Sequence, residues 1–62
     1  MLHVYDILEN CEVQCSVHFC WYDFDAYERI EIPEAEARGA EVRYLYVEDG
    51  ELWIEVNLEV GE

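Results

Sequence analysis

Sixty-two residues, 53% of them hydrophobic, supply one small core and exclude a second domain. Sixteen acidic residues against three basic ones, Arg29, Arg38 and Arg43, give a net charge of −13. Such a field repels phosphate backbones and anionic headgroups, which argues against direct nucleic-acid or membrane binding and for a cationic protein partner.

The chain opens with Val4, Ile7, Leu8 and Cys11 at offsets of three, four and seven, one apolar face of a short helix. The period then changes to two. Val13, Cys15, Val17, Phe19 and Trp21 alternate with Gln14, Ser16, His18, Cys20 and Tyr22, the pattern of a half-buried strand with Cys11 and Cys15 as small core residues and Cys20 half exposed. Asp23-Phe24-Asp25-Ala26 reads as a turn, because Asp side chains bond the local backbone, and Tyr27 to Ile32 returns as the second strand. That turn predicts a register pairing Tyr22 with Tyr27, Cys20 with Arg29, His18 with Glu31 and Val17 with Ile32.

Pro33 suits a first helical position, Glu34 and Glu36 complement the helix dipole, Arg38 lies at the other end, and Gly39 offers a left-handed cap. One or two turns of helix follow from this. Asp49-Gly50 between two apolar-patterned runs is a strong hairpin signal, setting Glu48 opposite Glu51, Val47 opposite Leu52, Tyr46 opposite Trp53, Leu45 opposite Ile54, Tyr44 opposite Glu55 and Arg43 opposite Val56. Leu45, Val47, Leu52, Ile54, Val56 and Leu58 then form a core face, while Val42, Tyr44, Tyr46 and Trp53 share the opposite face with Glu48, Glu51, Glu55 and Asn57. The expected fold is α+β in the order α-β-β-α-β-β, with the N-terminal helix across one four-stranded antiparallel sheet made of two hairpins.

Chemistry-bearing groups are few. Cys11, Cys15, His18 and Cys20 are soft ligands, and a small zinc module would use them. Cys15 faces away from the other two on the predicted strand, however, and the spacing lacks the paired knuckles that structural zinc prefers. His18 opposite Glu31 is a cross-strand ion pair, and nothing nearby offers a nucleophile, an oxyanion donor or a phosphate loop. The expectation is a non-enzymatic protein without a cofactor. Three cysteines, an odd number, with no signal peptide and no apolar run of membrane-spanning length, point to a reducing cytoplasm and no disulfide framework.

The second hairpin carries the predicted binding surface. Tyr44, Tyr46 and Trp53 ringed by Glu48, Asp49, Glu51, Glu55 and Glu59 have the composition of an interface core inside a charged rim. The same three aromatics would alternatively bury against a second subunit, making a homodimer.

The opening Val4-Tyr5-Asp6-Ile7-Leu8-Glu9 and the run from Ala40 to Val56 resemble small acidic proteins of bacterial phages and other mobile elements, of the anti-CRISPR or anti-defence kind. The resemblance implies a DNA-mimicking inhibitor in the bacterial host cytoplasm. It would occupy a basic nucleic-acid-binding surface of a host protein such as a nuclease or effector.

Overall fold

The computed structural model describes residues 1–57. Helix α1 is Val4–Asn10, strands β1 and β2 are Val17–Asp23 and Glu28–Ile32, helix α2 is Glu34–Ala37, and strands β3 and β4 are Glu41–Glu48 and Glu51–Asn57. The expected α+β order holds. The four strands form one sheet in the order β2-β1-β4-β3. Each hairpin is antiparallel, but β1 and β4 run parallel, so the sheet is mixed and not wholly antiparallel as its hairpins alone imply. With β1 and β4 in the middle, β2 and β3 lie on opposite edges, and residues 33–40 must cross three strand spacings, about 14 Å. So short a crossover leaves room for one turn of helix and little else. None of the described helices is long and apolar enough to cross a membrane.

Helix α1 starts where the His3 N–H donates to Asp6 Oδ2 at 2.9 Å, which satisfies a backbone donor that the first turn would otherwise leave unpaired. Its Val4 and Ile7 are buried, with Leu8 at the margin. Pro33 is one position earlier than predicted, capping α2 with an extended backbone. Gly39 does not take the left-handed conformation, since the Ala40 N–H bonds Ala37 O at 2.9 Å and closes the helix end without it. Val4, Ile7 and Ala37 of the helical side join Phe19, Ile32, Ile54 and Val56 in the core.

The first hairpin is two residues out of the predicted register. Phe19 faces Ile32, Cys20 faces Glu31, Tyr22 faces Arg29 and Asp23 faces Glu28. The turn is Phe24–Tyr27 because Asp23 stays in the strand, its Oδ1 accepting the N–H groups of Asp25 at 3.0 Å and Ala26 at 3.3 Å. A slip of two leaves every side chain on its predicted face, since strand side chains alternate with period two. Strand β1 begins at Val17 and not at Val13, for residues 13–16 lie outside the regular ladders with β2 and β4. Cys11 and Cys15 therefore sit exposed in the connecting loop, and neither is a core residue.

The tight turn of the second hairpin follows from positive φ at both Asp49 (55°) and Gly50 (76°), the mirror-image geometry that Asp-Gly favours. Its register matches prediction from Glu48–Glu51 to Tyr44–Glu55 and then breaks. A bulge between Val42 and Tyr44 takes Arg43 out of the ladder, so Val56 faces Val42 and not Arg43. The extra residue also turns Val42 to the helix side, where it packs against the core. Leu45 and Val47 share that side but are 48% and 70% exposed, because they sit on the edge strand beyond the buried cluster. Leu58 and Glu59 lie outside the described residues.

Tyr27 closes the first turn with φ of 54° and an exposed ring. A left-handed backbone costs a residue with a Cβ roughly 1–2 kcal/mol, part of which glycine returns as unfolded-state entropy. Tyr27→Gly is thus expected to stabilise the fold by about 0.5 kcal/mol, read from the urea midpoint.

Candidate functional site

Both helices supply their buried residues to one side of the sheet, and among the described residues no helix covers the other, open side. Alternation places His18, Cys20 and Tyr22 of β1, Arg29 and Glu31 of β2, Tyr44, Tyr46 and Glu48 of β3, and Glu51, Trp53 and Glu55 of β4 on that open side. Trp53 organises it. Its β1 partner His18 stacks on it with ring centres 4.4 Å apart and planes 18° apart. Arg29 reaches across β1 from the edge strand, bringing its guanidinium carbon within 3.7 Å of the Trp53 ring centre. The same guanidinium donates from Nη1 to Glu48 Oε1 at 2.7 Å and to Tyr46 Oη at 3.3 Å. Those bonds, to Tyr46 and Glu48, raise the Arg29 pKa further and hold its charge.

His18 is clamped between two acids. Nδ1 lies 2.9 Å from Glu31 Oε2 and Nε2 lies 2.7 Å from Glu51 Oε1, so both nitrogens serve as donors only in the imidazolium form. The hydrogen bond that His18 donates to Glu31 is the largest cause of a raised pKa, partial desolvation opposes it, and Glu51 adds to the rise. The predicted His18–Glu31 pair is present, although the register shift makes it diagonal across the strands and leaves Cys20 opposite Glu31. Beneath this layer Cys20 is fully buried, contrary to the half-exposed position expected, with its sulfur 3.8 Å from Tyr46 Oη. Burial pushes its thiol pKa up and also raises that of Tyr46, so Cys20 is a poor source of thiolate.

Of the predicted binding residues, Tyr46, Glu48, Glu51 and Trp53 are gathered into this one network. Tyr44 and Glu55 face each other on neighbouring strands, Tyr44 being 56% exposed, and Asp49 occupies the turn tip. Trp53 is covered by Arg29 and His18, so the open aromatic surface is smaller than three rings. A second acidic and aromatic surface escaped the sequence reading. Phe24 and Tyr27, 58% and 80% exposed, stand beside Asp25 and Glu28 at the first turn. Arg29 was also missed as an organising residue, although the predicted hairpin had already placed it on the face of His18. The missing signal was strand order, which alone brings Trp53 and Glu48 within its reach.

Cys11 and Cys15, exposed in the loop before β1, do not converge with His18 and Cys20. Among the described residues no group of three His, Cys, Asp or Glu side chains is placed to hold a metal ion. Cys11 and Cys15 are expected to react rapidly with an aromatic disulfide reagent, and Cys20 only after unfolding. Thiol release followed by absorbance, with and without denaturant, checks that division.

The chain matches no protein-family model, no curated protein and no solved structure.

Proposed function

We propose that this protein is a non-enzymatic acidic interaction module that occupies a basic, nucleic-acid-binding surface of another protein. Inhibition of a host defence effector in the bacterial cytoplasm is the role this reading supports. The observation that carries it is the distribution of charge. Arg29 and Arg38 are already bound to carboxylates, Arg29 to Glu48 and Arg38 to Glu9 and Glu34, so they compensate little of the field elsewhere. Asp25 and Glu28 at the β1–β2 turn, Asp49 at the β3–β4 turn and Glu55 on the open face make no ion pair among the described residues. Because β1 and β4 are parallel, with Val17 level with Leu52, the two turns lie at opposite ends of the sheet, about 30 Å apart at the usual strand rise. Unpaired carboxylates at both ends, with exposed Phe24, Tyr27 and Tyr44 between or beside them, fit a broad cationic surface approached by electrostatic steering.

The test uses the tagged protein to capture partners from bacterial lysate, with elution in rising salt and identification of what elutes. A nucleic-acid-binding protein released at moderate salt and displaced by duplex DNA is the expected result. The combined variant Asp25→Asn, Glu28→Gln, Asp49→Asn and Glu55→Gln should weaken that capture without touching the His18 clamp or the Arg29 network. Binding that ignores salt, DNA and the four substitutions would overturn the proposal.

A further inference from the structure

Strand β3 is an edge of the sheet, and among the described residues only its beginning is closed. The Val42 N–H donates to Leu2 O at 2.7 Å, and His3 bridges Glu41, so the N-terminal segment covers the strand as far as the bulge. From Tyr44 to Glu48 the outer edge has no pairing among the described residues.

The turn tells which groups that edge presents. With a two-residue turn, Glu48 and Glu51 form the closely hydrogen-bonded pair, and the bonding alternates from there. Tyr46 and Tyr44 therefore bond inward to β4, while the N–H and C=O groups of Leu45 and Val47 point outward. Their side chains are also the exposed aliphatic ones on the helix side, continuous along the sheet face with Leu52 and Val17. Residues 44–47 contain neither proline nor lysine nor any other charge, the devices by which edge strands usually resist pairing.

We propose that this edge is closed by a second copy of the chain, β3 against β3 in antiparallel fashion about a twofold axis at Tyr46, joining two four-stranded sheets into one of eight. The register follows from the outward groups and the covered start of the strand. Centring on Tyr46 places Leu45 opposite Val47 of the second copy in two closely bonded pairs, with four backbone hydrogen bonds across the axis. Centring on Leu45 instead would run Glu48 against Val42 of the second copy, where Leu2 already occupies the edge. The Tyr46 register also brings Arg43 towards Asp49 of the second copy and Tyr44 opposite Glu48. Arg43 forms no ion pair of its own among the described residues, lying instead over the Phe24 and Tyr44 rings. The core that seven of the described residues form on the helix side gains from such a partner, since domains of this size commonly complete their apolar burial by association.

Two chains of charge −13 repel each other, and salt screens that repulsion. Self-association through β3 must therefore strengthen as salt rises, whereas capture of a basic partner weakens, so the two proposals succeed or fail separately.

Sedimentation equilibrium of the full chain, from low micromolar to several hundred micromolar and in low and high salt, provides the test. The expected result is a monomer–dimer equilibrium whose dissociation constant falls as salt is added. Val47→Pro removes an outward N–H and leaves the ladder with β4 intact, and Val47→Lys places a charge on the same edge. Each variant, shown folded by circular dichroism, is expected to raise the dissociation constant at least about tenfold, a change of about 1.4 kcal/mol. A wild-type chain that stays monomeric throughout in high salt overturns the proposal. Folded variants that dimerise as wild type do the same.

Discussion

Replacing Ile54 by alanine is expected to remove a large part of this protein's stability at room temperature. Ile54 is fully buried at the centre of the sheet, paired with Phe19 of β1 on one side and Leu45 of β3 on the other. Truncating a buried isoleucine costs about 2–5 kcal/mol, through lost transfer energy and the cavity left behind. Against this stands the whole stability of a chain of this length, about 3–9 kcal/mol at the usual value per residue. Among the described residues the core is one cluster, Val4, Ile7, Phe19, Ile32, Ala37, Ile54 and Val56, with no second cluster to hold the sheet while the first relaxes. Urea unfolding followed by circular dichroism should show the midpoint falling sharply for Ile54→Ala and shifting little for Val47→Ala in dilute protein. Val47 lies on the same face of the sheet but is 70% exposed, and its truncation should stay within about 0.5 kcal/mol.

That contrast also marks how far the sequence was legible. Alternation assigned Ile54 and Val47 to one face correctly, because the period of a strand is a local property. It did not distinguish them in burial, because burial depends on which strands are central and where the helices end. The pairing of β1 with β4 joins residues more than thirty positions apart, and no local turn or propensity specifies it. The Asp-Gly turn fixed its register down to Tyr44–Glu55, and there the bulge at Arg43 intervened without a glycine to announce it. In the first hairpin the Asp side chain was correctly expected to bond the turn, but the turn was placed one residue early. Since both strands moved together, the slip was of two, which preserved the faces and with them the His18–Glu31 pair. The cysteines were misread for the converse reason. Cys15 fits the alternation of the strand and yet precedes it, while Cys20 faces the polar side and is buried there by Tyr46 and by Arg29 passing over the sheet.

The clamp on His18 makes the stability of the open face depend on pH, and the direction can be worked out. Folding supplies Glu31 and Glu51 to the two ring nitrogens, so the pKa of His18 in the folded state lies above its ordinary value near 6.5. The folded protein then holds a proton more tightly than the unfolded chain does. Stability from this group is fully present below the unfolded pKa and is lost as pH rises through the folded one. Above that range a neutral imidazole has a single N–H to donate, so one of the two carboxylates faces an acceptor lone pair. Glu31 and Glu51 then sit near each other and near Trp53 without the cation that joined them, in a chain whose charge is already −13. The urea midpoint of the wild-type protein is accordingly expected to fall between weakly acidic and weakly alkaline solution. His18→Gln should abolish most of that fall, because glutamine has no proton to lose in this range. A chemical-shift titration of the His18 ring assigns the transition to this residue. A midpoint that stays level across neutrality, or a His18 ring that titrates below 6.5, would show that the two carboxylates do not hold the imidazolium in the folded state.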